Sequence, residues 1–185
     1  TTVFNGPATI GAVGYSGAGN SISSALVTPP LGVNLYNAVT TDANGCPSDV
    51  SSDVSVTVNP IPVATASPSS QTVCSGLAIS DILLGTSNSI AGTTFNWTRD
   101  NNSSVTGIAS SGSGDVIGSL TNTTSDPVTV TFTITPTGPA TSLCVGNAIT
   151  ATVLVNPTPI AIATPSPQII CEGAASNVTL SSATG

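Results

Sequence analysis

Residues 128–135, VTVTFTIT, alternate strictly: Val128, Val130, Phe132 and Ile134 fall on one side and four threonines on the other. That period of two is the signature of a β-strand with one face on a core and one in water. Elsewhere short runs of Val, Ile, Leu and Ala recur between Gly, Pro, Asn, Asp and Ser, the residues that turn a chain. Between residues 59 and 156 the runs predict about seven strands, at 63–66, 78–84, 93–98, 104–109, 115–120, 128–135 and 148–155, and no helix. The spacing is roughly that expected of a β-sandwich.

The pattern repeats. Residues 56–76, VTVNPIPVATASPSSQTVCSG, align with residues 153–173, VLVNPTPIAIATPSPQIICEG, with 12 identities in 21 positions at an offset of 97. Asn59, Pro60 and Pro62 match Asn156, Pro157 and Pro159, and Gln71, Cys74 and Gly76 match Gln168, Cys171 and Gly173. A weaker echo relates Thr1-Thr2-Val3-Phe4-Asn5 to Thr93-Thr94-Phe95-Asn96. A period of about 97 residues is the size of one sandwich domain. The expected organisation is all-β, in tandem immunoglobulin-like β-sandwiches: 1–58 the C-terminal part of one repeat, 59–156 a complete repeat, 157–185 the first strands of the next. On that division the chain is expected to be an internal stretch of a longer protein. Proline fixes φ and biases the residue before it to extended conformations, so Asn59-Pro60-Ile61-Pro62 and Asn156-Pro157-Thr158-Pro159 read as stiff joints between domains.

Composition narrows the function. The 185 residues include no His, no Met and one basic side chain, Arg99, against eight carboxylates, for a net charge of -7. General acid-base catalysis most often uses His, and phosphate or nucleic-acid binding needs clusters of Lys and Arg. Neither resource is present, so an enzyme and a nucleic-acid partner are both unexpected. No apolar stretch approaches the roughly 18 residues that span a bilayer. Membrane insertion is therefore not expected either.

Four cysteines fall in two classes: Cys74 and Cys171 near a repeat start, Cys46 and Cys144 near a repeat end. The expected bridge is Cys74 with Cys144, leaving Cys46 and Cys171 to partners outside this stretch; staples of Cys46 with Cys74 and Cys144 with Cys171 are the alternative. Either pattern implies an oxidising, extracellular setting. Without His or a C-x-x-C pair the cysteines suit neither zinc nor nucleophilic chemistry. Trp97 and Phe132 are expected in the core. Asp42, Asp49, Asp53, Asp81, Asp100, Asp115 and Asp126 are scattered and form no calcium loop. No cofactor is expected, and calcium at an inter-domain joint is a minor alternative without assigned ligands.

The series V-x-V-N-P-x-P, Q-x-[VI]-C-x-G and Phe95-Asn96-Trp97, with a Cys before the last strand, resembles the PKD-like and immunoglobulin-like repeats of giant surface proteins of Bacteroidota. Tyr36 to Cys46, YNAVTTDANGC, is similar to a strand and hairpin frequent in those repeats. The resemblance implies a β-sandwich module, type IX export to the cell surface, and a part in adhesion, including gliding motility. The leading expectation is a stalk segment whose partners are neighbouring repeats, with surface polysaccharide or other cells bound by regions outside this stretch. A self-assembling extracellular filament subunit is the alternative. A carbohydrate-binding accessory module is the weaker one, because sugar sites want exposed aromatic rings and the chain has six aromatic residues.

Overall fold

Proline positions and Thr-rich alternation favour strands over helices, and the computed structural model has strands as its only regular elements among the residues it describes: 3–5, 29–39, 44–46, 48–49 and 52–183. Two compact units result, Thr1–Pro60 and Ile61–Gly185.

In the first unit, β1 (Val3–Asn5), β2 (Gly32–Val39) and β3 (Val54–Val58) form an antiparallel sheet in the order β1-β2-β3. Register runs from Gly32 opposite Val58 to Tyr36 opposite Val54. Asn34 is buried, and its amide donates to the carbonyls of Pro30 at 2.9 Å and Gly32 at 3.0 Å. A buried amide must find such acceptors, because leaving it unpaired costs about 1–3 kcal/mol. Residues 40–43 of the YNAVTTDANGC segment, and Thr1 and Thr2 of the N-terminal echo, lie outside the described residues.

The second unit is a sandwich. Its larger layer is a five-stranded sheet in the order β5-β12-β11-β7-β9: β5 (Ser70–Cys74), β12 (Ile149–Asn156), β11 (Val128–Thr137), β7 (Thr94–Arg99) and β9 (Ser111–Ser113). The facing layer is built from β4 (Ala64–Ser67) paired with β6 (Leu83–Thr86), β8 (Val105–Gly107) paired with β10 (Leu120–Asn122), and bridges joining Ala78 to Ser119 and Ile82 to Val116. A further hairpin, β13 (Ala161–Thr164) with β14 (Thr179–Ser182), follows.

Alternation decides which atoms meet between the layers. Val130, Phe132 and Ile134 of β11 and Ala151, Val153 and Val155 of β12 have no exposed surface. They pack with Trp97 of β7 and, from the facing layer, Ile82, Val105, Val116 and Leu120. Each fully buried Val, Ile, Leu or Phe among them stabilises the fold by about 1.5–3 kcal/mol. The outward partners on β11 and β12 are threonines that pair across the strands, Thr131 with Thr152 and Thr133 with Thr150.

Several expected strands change shape. The run at 78–84 forms isolated bridges and only its end joins β6, and the run at 115–120 is likewise bridged before β10 begins. The facing layer is thus made of short pieces bent around the core, because its backbone carries positive φ at Gly107, Gly114 and Gly118. Between residues 59 and 156 two strands were not expected, β5 and β9. SQTVC has one large apolar residue and SGS has none, so neither produces a hydrophobic period.

Candidate functional site

The chemistry of this chain is concentrated at the two ends of the sandwich and on one uncharged face. At the end where the chain enters, Asn88 ties the incoming segment: its amide donates to the Ile61 carbonyl at 2.8 Å, and its oxygen accepts from the Val63 N–H at 3.1 Å. Pro62 is fully buried, and a Cβ at Gly146 would lie 2.0 Å from the Pro62 carbonyl oxygen. Gly146 stands in the turn between β11 and β12, where its N–H donates to the Pro136 carbonyl at 2.9 Å. The joint residue Pro62 is therefore locked against the start of β12, while Pro60 is exposed and Asn59 half-buried.

At the opposite end, Asn156 closes β12 beside Cys74, and its carbonyl accepts from the Ser75 N–H at 2.9 Å. Asn122 is buried there and donates to the carbonyls of Val155 at 2.9 Å and Asp126 at 2.7 Å. Ser75 completes the cap, its hydroxyl accepting from the Asn122 N–H at 3.0 Å. Pro157 is half-buried and Pro159 exposed beyond it. Asn122 and Ser75 escaped sequence reasoning because isolated polar residues carry no period; they are found only once β10 and β12 are adjacent.

The cysteine expectation is corrected by this geometry. No disulfide joins Cys74 to Cys144. Cys74 lies beside the last residue of β12, whereas Cys144 precedes its first. An eight-residue strand rises about 3.3 Å per residue, so the two ends are on the order of 25 Å apart. A bridge requires Cα atoms within roughly 7 Å. Cys46 and Cys171 are exposed.

Trp97 is buried, as is Phe132, and the two rings meet edge to face with centroids 5.6 Å apart. The indole N–H donates to the Gly114 carbonyl at 3.0 Å. The ring slides beneath β9, where a Cβ at Gly112 would approach its Cζ2 to 2.3 Å. That is why a strand without apolar residues forms at this edge. Arg99, the one cation of the sequence, is also buried. Its guanidinium donates to the carbonyls of Ile108 at 2.7 Å, Val105 at 3.0 Å, Ala109 at 3.2 Å and Asp100 at 3.2 Å. Burial lowers its pKa, and the neighbouring Asp100 acts in the other direction. The only basic group is thus consumed in holding the β8 loop, not offered to a ligand.

On the outward face of the sheet, Asn96, Thr98, Ser111, Ser113, Thr133 and Thr135 line a shallow trough of about 450 Å³. Hydroxyls and an amide there can hydrogen-bond, but the trough offers no acid, base or nucleophile assembly. Trp97 and Gly112 also border the trough, but the indole is buried and packs with the core, so it gives little open ring surface for a ligand to stack on. Among the described residues no three His, Cys, Asp or Glu side chains gather to hold a metal. The exposed carboxylates of Asp100 and Asp115 accept from backbone N–H groups of Thr131 and Leu84, both at 2.7 Å. Asp42 lies outside the described residues.

A two-layered sandwich with β5 parallel to β12 and no catalytic grouping among the described residues defines the class: a structural β-module. Residues 71–159, from Gln71 in β5 to Pro159 beyond β12, match the family model of the PKD-like domain. No curated protein matches the chain. PKD-like β-sandwiches are generally non-catalytic and typically extracellular. Among the described residues no helix is long and apolar enough to cross a membrane.

Proposed function

We propose that this chain is a spacer segment of a large extracellular surface protein, a stalk of tandem sandwich repeats that holds an adhesive region away from the cell. One observation carries the reading: the chain enters the sandwich at Pro62, against the start of β12, and leaves at Asn156, the end of the same strand. A module with its joints at opposite poles adds length to an array, whereas adjacent joints would fold it back.

Local structure beyond Asn156 supports a second repeat starting there. The turn after Cys74, with the Leu77 N–H on the Cys74 carbonyl at 3.1 Å, recurs as Ala174 on Cys171 at 3.1 Å. Gly76 and Gly173 share left-handed φ values of 84° and 82°. The side chain of Gln71 brackets the backbone of Ser80, and Gln168 brackets Asn177 at the same spacing, through its backbone N–H and its side chain. Hairpin β13-β14 pairs as β4-β6 does. The division into 1–58, 59–156 and 157–185 rests on these echoes. Extracellular placement rests on the PKD-like match rather than on the cysteines. Type IX export and gliding motility rest on the Bacteroidota resemblance.

The test is small-angle scattering on this chain, with intact-mass measurement on the native protein. An elongated particle and a native chain running past Gly185 are expected. A compact particle would sink the spacer role.

A further inference from the structure

The two cysteines of the 61–156 module lie outside its core, one at each pole. Cys74 is exposed at the end of β5, opposite Asn156 in the parallel ladder, so it stands on the rim from which the chain leaves toward Pro157. Cys144 stands on the other rim. Its carbonyl accepts from the Gly138 N–H at 2.8 Å in the turn between β11 and β12, and Gly146, two residues on, abuts the Pro62 carbonyl where the chain enters. One repeat thus carries a cysteine beside its exit joint and another beside its entry joint.

We propose that the cysteines form a disulfide across each joint, linking Cys74 of one repeat to the cysteine that stands at the position of Cys144 in the repeat that follows. The staple rests on the tandem-spacer reading. Cys171 begins the same turn as Cys74, with Gly173 in the left-handed region like Gly76, which gives Cys171 the same part at the next joint. The gap to be bridged is short. Neighbouring strands are about 4.8 Å apart, so Cys74 lies that close to Asn156. From Asn156 to Pro159, the counterpart of Pro62, is three residues, which span about 11 Å at most. A bend within that span brings the two Cα atoms into the roughly 7 Å range of a disulfide, whereas inside one repeat the length of β12 holds them apart.

The Sγ–Sγ bond forms as two thiols give up two protons and two electrons. A small-molecule disulfide of the surrounding medium accepts them and departs as two thiols. Each pair of repeats is then attached at two points, the peptide joint and the staple. Two attachments restrict the bending and twisting that the N-P-x-P segment alone leaves open, and reduction returns the joint to a single tether.

Non-reducing peptide mapping of the native protein reads the connectivity, because repeats differ in sequence around this cysteine, as GCPS at Cys46 and LCVG at Cys144 do. Cys74 is expected in a peptide linked to the cysteine about 97 residues beyond Cys144, the repeat period. A bridge from Cys74 to Cys144 or Cys46, or from Cys144 to Cys171, overturns the staple, and so does full alkylation of the native thiols. A second measurement uses the full chain with residues 60–156 duplicated in tandem, which contains one joint with both cysteines. Keeping only Cys74 of the first copy and Cys144 of the second, with serine at the other cysteines, is expected to give a monomer that closes in a small-molecule disulfide buffer. It becomes lighter by two hydrogens, and its alkylation falls at least tenfold. Keeping only Cys74 and Cys144 of one copy is expected to leave both thiols open to alkylation. Equal closure in the two variants overturns the staple. Near-ultraviolet circular dichroism of Trp97 checks that both are folded, and the native map decides if they are not. An elongated scattering particle with open thiols rejects the staple alone, and a compact particle with a closed staple the spacer role alone.

Discussion

Arg99 and Gly112 show how single residues here are fixed by what surrounds them. The Arg99 fork serves carbonyls in different directions, a geometry that a lysine ammonium on a flexible stem does not reproduce. Arg99→Lys is expected to lose about 2 kcal/mol or more by urea unfolding, since hydrogen bonds to charged groups are worth roughly 1.5–3 kcal/mol and stranded carbonyls add a penalty. Gly112→Ala forces the Trp97 ring from its slot and costs about 1–3 kcal/mol as overpacking. Trp97 is the sole tryptophan, so its near-ultraviolet circular dichroism and emission report the shift directly. An unchanged spectrum with unchanged stability would show that β9 does not cover the ring. Gly112 was illegible in the sequence, where SGSG reads as a turn, because its role depends on a ring 15 residues away.

Strands differ in how far they could be foreseen. The alternation in β11 was legible because the strand puts every second side chain in the core, whereas β12 was foreseen only as an apolar run and shows the same alternation once folded. Segments of the facing layer were legible as apolar runs but not as bridges, since the runs carry no mark of where glycine bends them. Hydrogen exchange should grade the elements accordingly: amides of β11 and β12, central and flanked on both sides, exchange slowest, and those of β13 and β14, whose side chains are all exposed, fastest. Faster exchange in β11 than in β13 would mean that the core is not where burial places it.

For the whole molecule the cysteines give the sharpest test. Non-reducing peptide mapping is expected to recover Cys74 and Cys144 in separate peptides, with Cys74 open to thiol reagents in the native state. A linked pair would require β5 to leave β12. Among the described residues the carboxylates are exposed, and the net charge of -7 supports solubility through repulsion between copies.

By itself the sequence determined the strand class, the match of two segments 97 residues apart, the core face of β11 and the poverty of catalytic groups, because alternation, repetition and composition are local or additive properties. The tertiary structure alone decided that β5 lies parallel to β12, that a glycine strand roofs Trp97, and that Cys74 and Cys144 stand at opposite poles. These depend on which distant segments become neighbours. Each pairing closes a loop of tens of residues for a modest entropic cost that varies little with loop length, so spacing along the chain does not choose between partners; the fit of side chains between the two layers does.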